Sequence, residues 1–414
     1  MVPSGWKKGS VEDIATVTSG GTPSRKNDSY WNGHIPWVTT SEVKFGVITD
    51  TEQKITQEGL DNSSAKMFPE NTLLIAMYGQ GKTRGQVAKL GIEASTNQAC
   101  AALLLNDDCE VDYYFQFLTS QYDAIRELAN SGGQQNLSAG IIKNIHVPIP
   151  PLPEQRKIAK ILATWDKAIA TSEKLIAASQ QQKKALMQQL LTGKKRLTNP
   201  DTGQPFEGEW EEVRLESYIN LLSGHAFKSS AFEKDSGYKL LRGINITRGT
   251  LRWGEEQTFS WTNVNGFEKY LVNVGDIVIS MDGSLVGRNY ALITENNHEP
   301  MLLVQRVARI RCKTALEHNY LLQHIASERF KSYVDAVKTV TAIPHISAKD
   351  IKHFMLPLPS VDEQQKISSV LTAADKEIEV QQAKLAHLKQ EKKALMQQLL
   401  TGKRRVKTDE QEAA

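Results

Sequence analysis

The sequence lacks long apolar segments and closely spaced cysteines. No run reaches the roughly 18 apolar residues that a membrane-spanning helix needs, and the opening residues, MVPSGWKKGS, contain no apolar stretch typical of a secretion signal. The three cysteines, Cys100, Cys109 and Cys312, show no CxxC spacing, which argues against a disulfide framework or a cysteine-based metal site. We therefore expect a cytoplasmic protein with reduced thiols and no membrane partner.

A large excess of charge of either sign is also missing. The formal net charge is only +3 over 414 residues, whereas a protein that binds nucleic acid without sequence preference is usually strongly basic. Residues 151–198 are the exception, because they contain ten basic and three acidic side chains. If the protein binds DNA, local patches must therefore make the contacts, because the surface as a whole is not basic.

The motifs of common catalytic sites are absent or incomplete. The nine histidines are scattered, and no GxSxG or GxGxxG segment occurs. The segment AMYGQGKTRG (76–85) ends like a phosphate-binding loop, but Ala76 stands where that loop needs its first glycine. In PDTGQPFEGE (200–209), Glu209 stands where a nuclease metal site needs lysine. We therefore predict that the chain is not an enzyme, and a nucleotide hydrolase that uses the Gly81–Thr83 loop remains an alternative.

The sequence does contain an internal duplication. KKALMQQLLTGK occurs at Lys183–Lys194 and again, without a change, at Lys392–Lys403. At the same offset of 209, EQRKIAKILATWDKAI matches EQQKISSVLTAADKEI. The start of the chain recurs at Trp210, which is offset by 204 from Trp6. The chain is therefore predicted to be a tandem repeat, with a globular part first and a helix second in each copy.

Each copy ends in a pattern typical of a long helix. Seam positions follow one another at alternating intervals of four and three residues through 158–190 and 367–399, as in a coiled coil. Prolines precede both segments, and Gly193 and Gly402 follow them, which are signals for the start and the end of a helix. The connectivity favours an antiparallel pair with a pseudo-twofold axis. For the helices alone, a generic dimerisation coil is the alternative.

The globular parts contain short apolar runs bounded by turn residues, such as 34–40, 71–79 and 98–105, which predict strands. An amphipathic helix follows them in each copy. The predicted fold class is therefore α/β (α+β), with two mixed α/β domains separated by two long antiparallel coiled-coil helices. The predicted boundaries are domain 1 at 1–150, helix 1 at 151–195, a linker at 196–209, domain 2 at 210–359, helix 2 at 360–403 and a polar tail at 404–414.

The loops after the predicted strands contain side chains that can bind base edges. Arg, Lys, Gln and Asn form paired hydrogen bonds with guanine and adenine, although polar surface loops are also common without any such role. The loops differ between the two copies while the helices match, as expected for two readers of different DNA sequences. The candidate DNA-binding residues are Ser24, Arg25, Lys26, Thr39, Thr40, Tyr78, Gln80, Lys82, Arg84, Gln134, Gln135 and Asn136 in copy 1, and Lys228, Arg242, Asn245, Arg248, Asp282, Ser284, Arg288, Thr341 and His345 in copy 2.

These features resemble the specificity subunit of type I restriction–modification enzymes along essentially the whole chain. The resemblance rests on SGGTPSRKNDSYWNGHIPWVTTSEV (19–43), NQACAAL (97–103), VPIPPLPEQRKIA (147–159) and both copies of KKALMQQLLTGK. Copy 2 departs from the first of these segments and reads SGHAFKSSAFEKDSGYKLLRGINI. This departure affects the contact residues, since the recognition domains of this family vary with their target.

The resemblance implies two target recognition domains, each of which reads one half of a bipartite double-stranded DNA target. It implies that the helices set the spacing and dock two methyltransferase subunits, which motor–nuclease subunits join. S-adenosylmethionine, ATP and Mg are implied on these partner subunits, with no cofactor on this chain, in the cytoplasm of a bacterium or archaeon. An architectural coiled-coil adaptor that reads no sequence is the alternative from another functional class.

The strict repeat also suggests where partners dock. Two copies of one partner on two equivalent helix ends would need the same surface twice. The candidate partner-binding residues are Lys183, Lys184, Leu186, Leu190, Lys392, Lys393, Leu395 and Leu399.

Overall fold

A computed structural model describes residues 3–79, 81–129, 136–234, 237–297 and 299–408. The chain divides into two compact units. Unit 1 comprises Met1–Glu173 and Ala383–Ala414, and unit 2 comprises Lys174–Gln382. Each unit therefore contains one globular copy, the first part of one long helix and the last part of the other.

In unit 1 the globular copy is a mixed α/β domain. Its strands are β1 (Lys7–Ser10), β2 (Ala15–Ser19), β3 (Trp31–Val38), β4 (Val47–Ile48), β5 (Gln53–Ile55), β6 (Met67–Phe68), β7 (Leu73–Ala76), β8 (Val87–Leu90), β9 (Ala94–Thr96), β10 (Cys100–Leu105) and β11 (His146–Ile149). Its helices are α1 (Val11–Ile14), α2 (Gln57–Asp61), α3 (Val111–Ser120), α4 (Tyr122–Leu128) and α5 (Ala139–Lys143), and the long helix α6 (Leu152–Leu190) follows. The sheets have the orders β2-β10-β7-β8-β4, β5-β3-β9-β6 and β1-β11.

Unit 2 repeats this plan with fewer strands. Its strands are β12 (Glu211–Arg214), β13 (Ile219–Ser223), β14 (Tyr238–Leu241), β15 (Ser260–Trp261), β16 (Ile277–Ser280), β17 (Tyr290–Leu292), β18 (Met301–Leu303), β19 (Val307–Cys312) and β20 (Met355–Leu358). Its helices are α7 (His318–Ile325), α8 (Glu328–Val337) and α9 (Ala348–His353), and the long helix α10 (Val361–Leu399) follows. The sheets have the orders β13-β19-β16-β17, β15-β14-β18 and β12-β20.

The heptad seam is buried within each unit. In unit 1, Ile158 and Leu162 of α6 belong to the same apolar core as Leu399 of α10. In unit 2, Leu190 of α6 shares a core with Ile367 of α10. All twenty predicted seam positions are buried or half-buried. The predicted helices and their seam are therefore confirmed, and the seam is filled by segments of the same chain.

Salt bridges show the antiparallel direction inside each unit. In unit 1, Asp166 binds Lys392 at 2.6 Å and Glu173 binds Lys389 at 2.7 Å. Residue numbers therefore increase along α6 in the direction in which they decrease along α10, so the two helices are antiparallel there. Unit 2 contains the pseudo-equivalent of the first pair, since Lys183 binds Asp375 at 2.5 Å.

Packing explains part of the unchanged repeat. Gly193 and Gly402 have φ values of +70° and +71°. Such left-handed values are common just after a helix end, and glycine adopts them without the steric cost that other residues have. The leucines in front of these glycines are at most 4% exposed in both copies. The buried positions of KKALMQQLLTGK are therefore needed by each unit for its own fold.

A charged clasp connects the ends of the two long helices within each unit. In unit 2, Glu363 is 1% exposed, and Arg196 donates to both of its carboxylate oxygens at 2.6 and 2.7 Å. The Trp210 indole N–H donates to the same carboxylate at 3.1 Å. Unit 1 repeats this arrangement with Arg405, Trp6 and Glu154. A buried carboxylate is tolerated only when it is paired and hydrogen-bonded, so the clasp explains why both tryptophans and both glutamates recur.

The segment predicted as a linker is folded onto unit 2. Phe206 is 8% exposed, and Leu197 packs against the apolar core of unit 2. Among the described residues no helix is long and apolar enough to cross a membrane.

We predict that Arg196→Ala destabilises unit 2 by about 3 kcal/mol, because it leaves the buried Glu363 without its counter-charge. The measurement is the urea midpoint, together with hydrogen exchange of β12 and β20. Lys195→Ala is the matched control, since Lys195 is exposed and its loss should change stability by less than about 0.5 kcal/mol. Equal shifts for the two variants would show that the clasp does not stabilise the unit.

A second prediction concerns His324 of α7, which is 1% exposed. Burial, with a smaller contribution from Arg329, lowers the pKa of His324 from 6.5 to about 3. The unfolded chain therefore binds a proton at His324 below about pH 6.5 while the folded chain does not. Stability that is present above this pH is lost as the pH falls, by up to about 1.4 kcal/mol per pH unit.

The matched variant is His324→Phe, because unit 1 has Phe117 at the equivalent position. The equivalence follows from the preceding glutamines, since Gln116 binds Asp166 and Gln323 binds Asp375. We expect the free energy of unfolding of the variant to fall less between pH 6.5 and 4 than that of the wild type. Parallel pH profiles would contradict the buried neutral histidine.

Candidate nucleic-acid interface

In unit 1 several strand ends meet at one edge. Ser19 of β2 pairs with Ala101 of β10, and Cys100 of β10 pairs with Ala76 of β7. In the neighbouring sheet, Val38 of β3 lies beside Thr96 of β9. The loops that leave these strands therefore converge, and we call residues 20–26, 39–42, 77–79, 81–86 and 97–99 strand-end surface 1.

Surface 1 gathers most of the copy 1 candidates. Ser24, Arg25 and Lys26 are exposed on the loop that follows β2, and Thr22 of this loop donates to Gln98. Tyr78 and Lys82 are exposed in the β7–β8 loop. Three candidates are half-buried: Thr39, Thr40 and Arg84. Asn136 is exposed, and it is next to Leu137, whose N–H donates to the Met77 carbonyl at 3.0 Å. Gln80, Gln134 and Gln135 lie outside the described residues.

The loop that resembles a phosphate-binding loop has the wrong surroundings for that role. It leads from β7 into β8, which pairs antiparallel with β7, whereas a phosphate-binding loop opens a helix whose N-terminus faces the phosphate. Its carbonyl groups at Gly81 and Lys82 accept hydrogen bonds from Arg126 and Tyr122 of α4. Helix α4 therefore supports this loop and presents Lys82 to solvent.

In unit 2 the equivalent strand ends form a cleft. Ser223 of β13 pairs with Ala308 of β19, and Ser280 of β16 pairs with Val307. The cleft has a volume of about 550 Å³. Its lining includes Phe227, Arg242, Asp282, Ser284, Asn289, Gln305 and Arg306. We call residues 224–228, 242–244, 281–289, 304–306 and 341–345 strand-end surface 2.

Arg306 stands out within surface 2 because of its backbone. Its φ is +70°, a left-handed conformation that costs a residue with a side chain about 1–2 kcal/mol. Its side chain is 59% exposed and lies 4.0 Å from the Asp282 carboxylate. Such strain in an exposed charged residue is typical of functional loops.

Sequence reasoning missed Asn97, Gln98, Asn289, Gln305 and Arg306, all of which lie on surfaces 1 and 2. In the structure these residues precede strands, whereas the apolar runs of the sequence placed Gln98, Gln305 and Arg306 inside the predicted strands 98–105 and 305–311. Antiparallel pairing brings both kinds of strand end to one edge. The alternation of strand directions was the signal that would have found them.

Asn245 and Arg288 are candidates of copy 2 whose side chains bind other groups of unit 2. Asn245 is fully buried, and its amide donates to the Arg252 and Gln257 carbonyls at 3.2 Å, so its side chain does not reach the surface. Arg288 pairs with Asp335 at 3.0 Å.

The remaining copy 2 candidates lie in or near surface 2. Thr341 and His345 belong to a loop beside Asp282, where the Gly283 N–H donates to the Pro344 carbonyl at 3.0 Å. Lys228 and Ser284 are exposed, Arg242 is half-buried, and Arg248 is exposed beside Tyr290.

The candidate partner residues fall into two groups. Leu190 and Leu399 are at most 2% exposed, and Lys183 and Lys392 are about 15% and 14% exposed in their salt bridges. Leu186 and Leu395 are half-buried beside the cores. Only Lys184 and Lys393 of this set are fully on the surface.

The cysteines offer no reactive thiol. Burial raises the pKa of Cys109 to about 11 and that of Cys312 to about 12, and it raises the pKa of Cys100 further. Thiols with such pKa values stay protonated at neutral pH and are poor nucleophiles. Within the described ranges no group of His, Cys, Asp and Glu has the arrangement of a metal site.

Comparison with known proteins identifies the family. The family described as "Type I restriction modification DNA specificity domain" matches residues 3–179 and 207–390. The type I restriction enzyme MjaVIII specificity subunit of Methanocaldococcus jannaschii is 28% identical over 413 residues, which cover 98% of this chain and 94% of that protein. The EcoKI specificity subunit of Escherichia coli K12 is 23% identical and covers 88% of this chain and 81% of its own length.

Solved structures share the fold. The specificity subunit of a type I restriction–modification system from M. genitalium superposes with a TM-score of 0.61 at 14% identity, and 96% of each chain is covered. A chain from a structural study of complex assembly in the type I system gives a TM-score of 0.58 at 18% identity, covering 97% of this chain and 98% of that one.

The family match spans both globular copies and most of both long helices. The chain therefore belongs to the type I restriction–modification DNA specificity family, as a subunit that recognises DNA sequence and is not itself an enzyme.

Proposed function

We propose that surfaces 1 and 2 each read one half of a bipartite DNA target. The observation that supports this proposal most directly is the contrast between scaffold and loops. Equivalent strand ends converge in both units, yet their loops differ in sequence and in contacts. A duplicated scaffold with divergent loops is suited to two different half-sites, which a duplex presents as separate patches of groove.

The chemistry of the loops fits base recognition better than non-specific adhesion. Surface 2 combines Arg242 and Arg306 with the acceptor Asp282. Arg donates to guanine O6 and N7, and a carboxylate accepts from the cytosine amino group. Surface 1 adds the exposed Arg25 and Lys82. A mixture of donors and acceptors is what sequence reading needs, whereas phosphate binding alone needs only positive charge.

We further propose that two methyltransferase subunits dock at the repeated segments. Packing explains the identity of the buried positions but leaves the exposed ones unexplained. Lys184 with Lys393 and Gln188 with Gln397 are exposed in both copies and nevertheless identical. A surface presented twice to copies of one partner would account for them.

In the same proposal, the long helices set the spacing between the half-sites. The partner subunits carry S-adenosylmethionine for adenine methylation, and motor–nuclease subunits use ATP and Mg for cleavage. This chain holds none of these groups and acts in the cytoplasm, where the DNA of a bacterium or archaeon lies. A coiled-coil adaptor that reads no sequence is the competing function, and it predicts binding without base preference.

We predict that exchanging residues 1–150 for another recognition domain changes one half of the methylated target and leaves the other half intact. The exchange should include both β1 and β11, because these strands pair with each other. Methylome mapping of cells that express the chimera is the measurement. The reciprocal exchange of residues 210–359 should change only the other half, and a simultaneous change of both halves would contradict the proposal.

A second prediction tests docking with exposed residues. Lys184→Glu together with Lys393→Glu should weaken co-purification of the methyltransferase at least about tenfold, since like charges at an interface cost several kcal/mol. Each single variant should yield a complex with one methyltransferase subunit, which native mass spectrometry would detect.

The control is Lys174→Glu with Lys384→Glu. These lysines are exposed on the same helices, and neither is repeated, because the equivalent positions in the other copy are Ala383 and Leu175. Circular dichroism should show full helix content in all variants. Two methyltransferase subunits bound to the folded Lys184→Glu, Lys393→Glu variant would refute docking at this surface.

A further inference from the structure

Two tryptophans of β3 hold the loop that follows β2. Trp37 is 2% exposed, and its indole N–H donates to the Gly21 carbonyl at 2.9 Å. Trp31 donates in the same way to the Ser24 carbonyl at 3.1 Å. The two rings meet edge to face, with centroids 5.1 Å apart and an angle of 86°. The loop backbone on both sides of Pro23 is therefore tied to a rigid aromatic pair.

Arg25 lies on this aromatic pair. Its guanidinium carbon is 3.7 Å from the Trp31 ring centroid and 5.1 Å from that of Trp37. At such distances the ring attracts the cation and restricts its plane. Arg25 is exposed, and no acceptor among the described residues takes a hydrogen bond from its N–H groups. Surface 1 therefore presents a cation that is fixed in orientation and still has its donors available.

A fixed plane matters for one class of DNA contact. A phosphate needs a nearby positive charge, which the flexible and exposed Lys26 of the same loop already supplies. Guanine offers O6 and N7 side by side on its major-groove edge, and a planar guanidinium binds both at once only in one orientation. Holding the plane before binding reduces the entropy lost on contact.

We propose that Arg25 reads a guanine in the half-site of unit 1 and that Trp31 is the positioning residue that sets the plane of its guanidinium. This inference rests on the proposed function of surface 1. It adds the base, the groove edge and a residue that acts without touching DNA.

The test uses the complete complex of this chain with its methyltransferase subunits, on a DNA library randomised at each position of the recognised half-site. Arg25→Lys should lower the preference for guanine at one base pair about tenfold to hundredfold, with other positions unchanged. Trp31→Leu should relax the same base pair, and Trp31→Phe should restore most of the preference, because a phenyl ring still supports the cation.

Lys26→Ala is the matched control. It should weaken binding to all sequences alike and reduce the salt dependence by about one phosphate contact. Because Arg25→Lys keeps the positive charge, it would leave the base preference unchanged if Arg25 contacted a phosphate, and that result would overturn the inference. This variant keeps the aromatic pair intact, so a folding defect in Trp31→Leu does not obscure the answer.

Different results would contradict the proposed function and the guanine contact. If the wild-type complex selects no bipartite sequence, the proposed function itself is wrong. If the wild type selects both halves, and the Arg25 and Trp31 variants select guanine as strongly as the wild type, the proposed function stands and the guanine contact is wrong.

Discussion

The structure depends on how the seam of each long helix is buried. The N-terminal part of α6 is covered within unit 1 by the C-terminal part of α10, and the remaining parts of the two helices cover each other within unit 2. Neither globular copy completes its core with its own helix alone. Each core therefore contains leucines that the other copy supplies.

The same constraint divides the repeated segment into two kinds of position. Leu190 and Leu399 are identical because two equivalent cores receive them, and Gly193 and Gly402 because two equivalent helix ends need a left-handed residue. Lys184 and its counterpart Lys393 are exposed. Substitutions at exposed helix positions usually change stability by less than about 0.5 kcal/mol, so folding alone does not keep such residues identical.

Sequence reasoning worked where structure is periodic. The seam from Ile158 to Leu190 could be predicted because its spacing repeats, and the strands β7 and β10 because they are apolar runs between turn residues. The partners of Glu154 and Glu363 could not be predicted, because those contacts join residues more than 140 positions apart. A single sequence contains no periodic signal for such pairs.

The candidate site shows the same limit. Tyr78 and Lys82 could be predicted as exposed, since they follow a strand. Gln305 and Arg306 come before a strand, and only the antiparallel order of the sheet places them on surface 2. Asn245 looked like a surface residue because its type is polar, yet it holds the backbone of its own loop together. Residue type alone does not separate an amide that binds its own chain from one that is free for a ligand.

The two surfaces also orient an arginine by different physical means. In unit 1 the guanidinium carbon of Arg25 lies 3.7 Å from the centroid of the Trp31 ring, while in unit 2 Arg306 has a left-handed backbone and lies 4.0 Å from the Asp282 carboxylate. Both arginines lie on loops of equivalent sheets. In these sheets Gly20 and Gly224 each lie so close to a carbonyl group, that of Thr96 and of Val304 respectively, that a Cβ atom would clash with it. This framework is constrained by close packing and stays alike in both copies. The loops are less constrained by this packing, so they differ between the copies in sequence and in contacts.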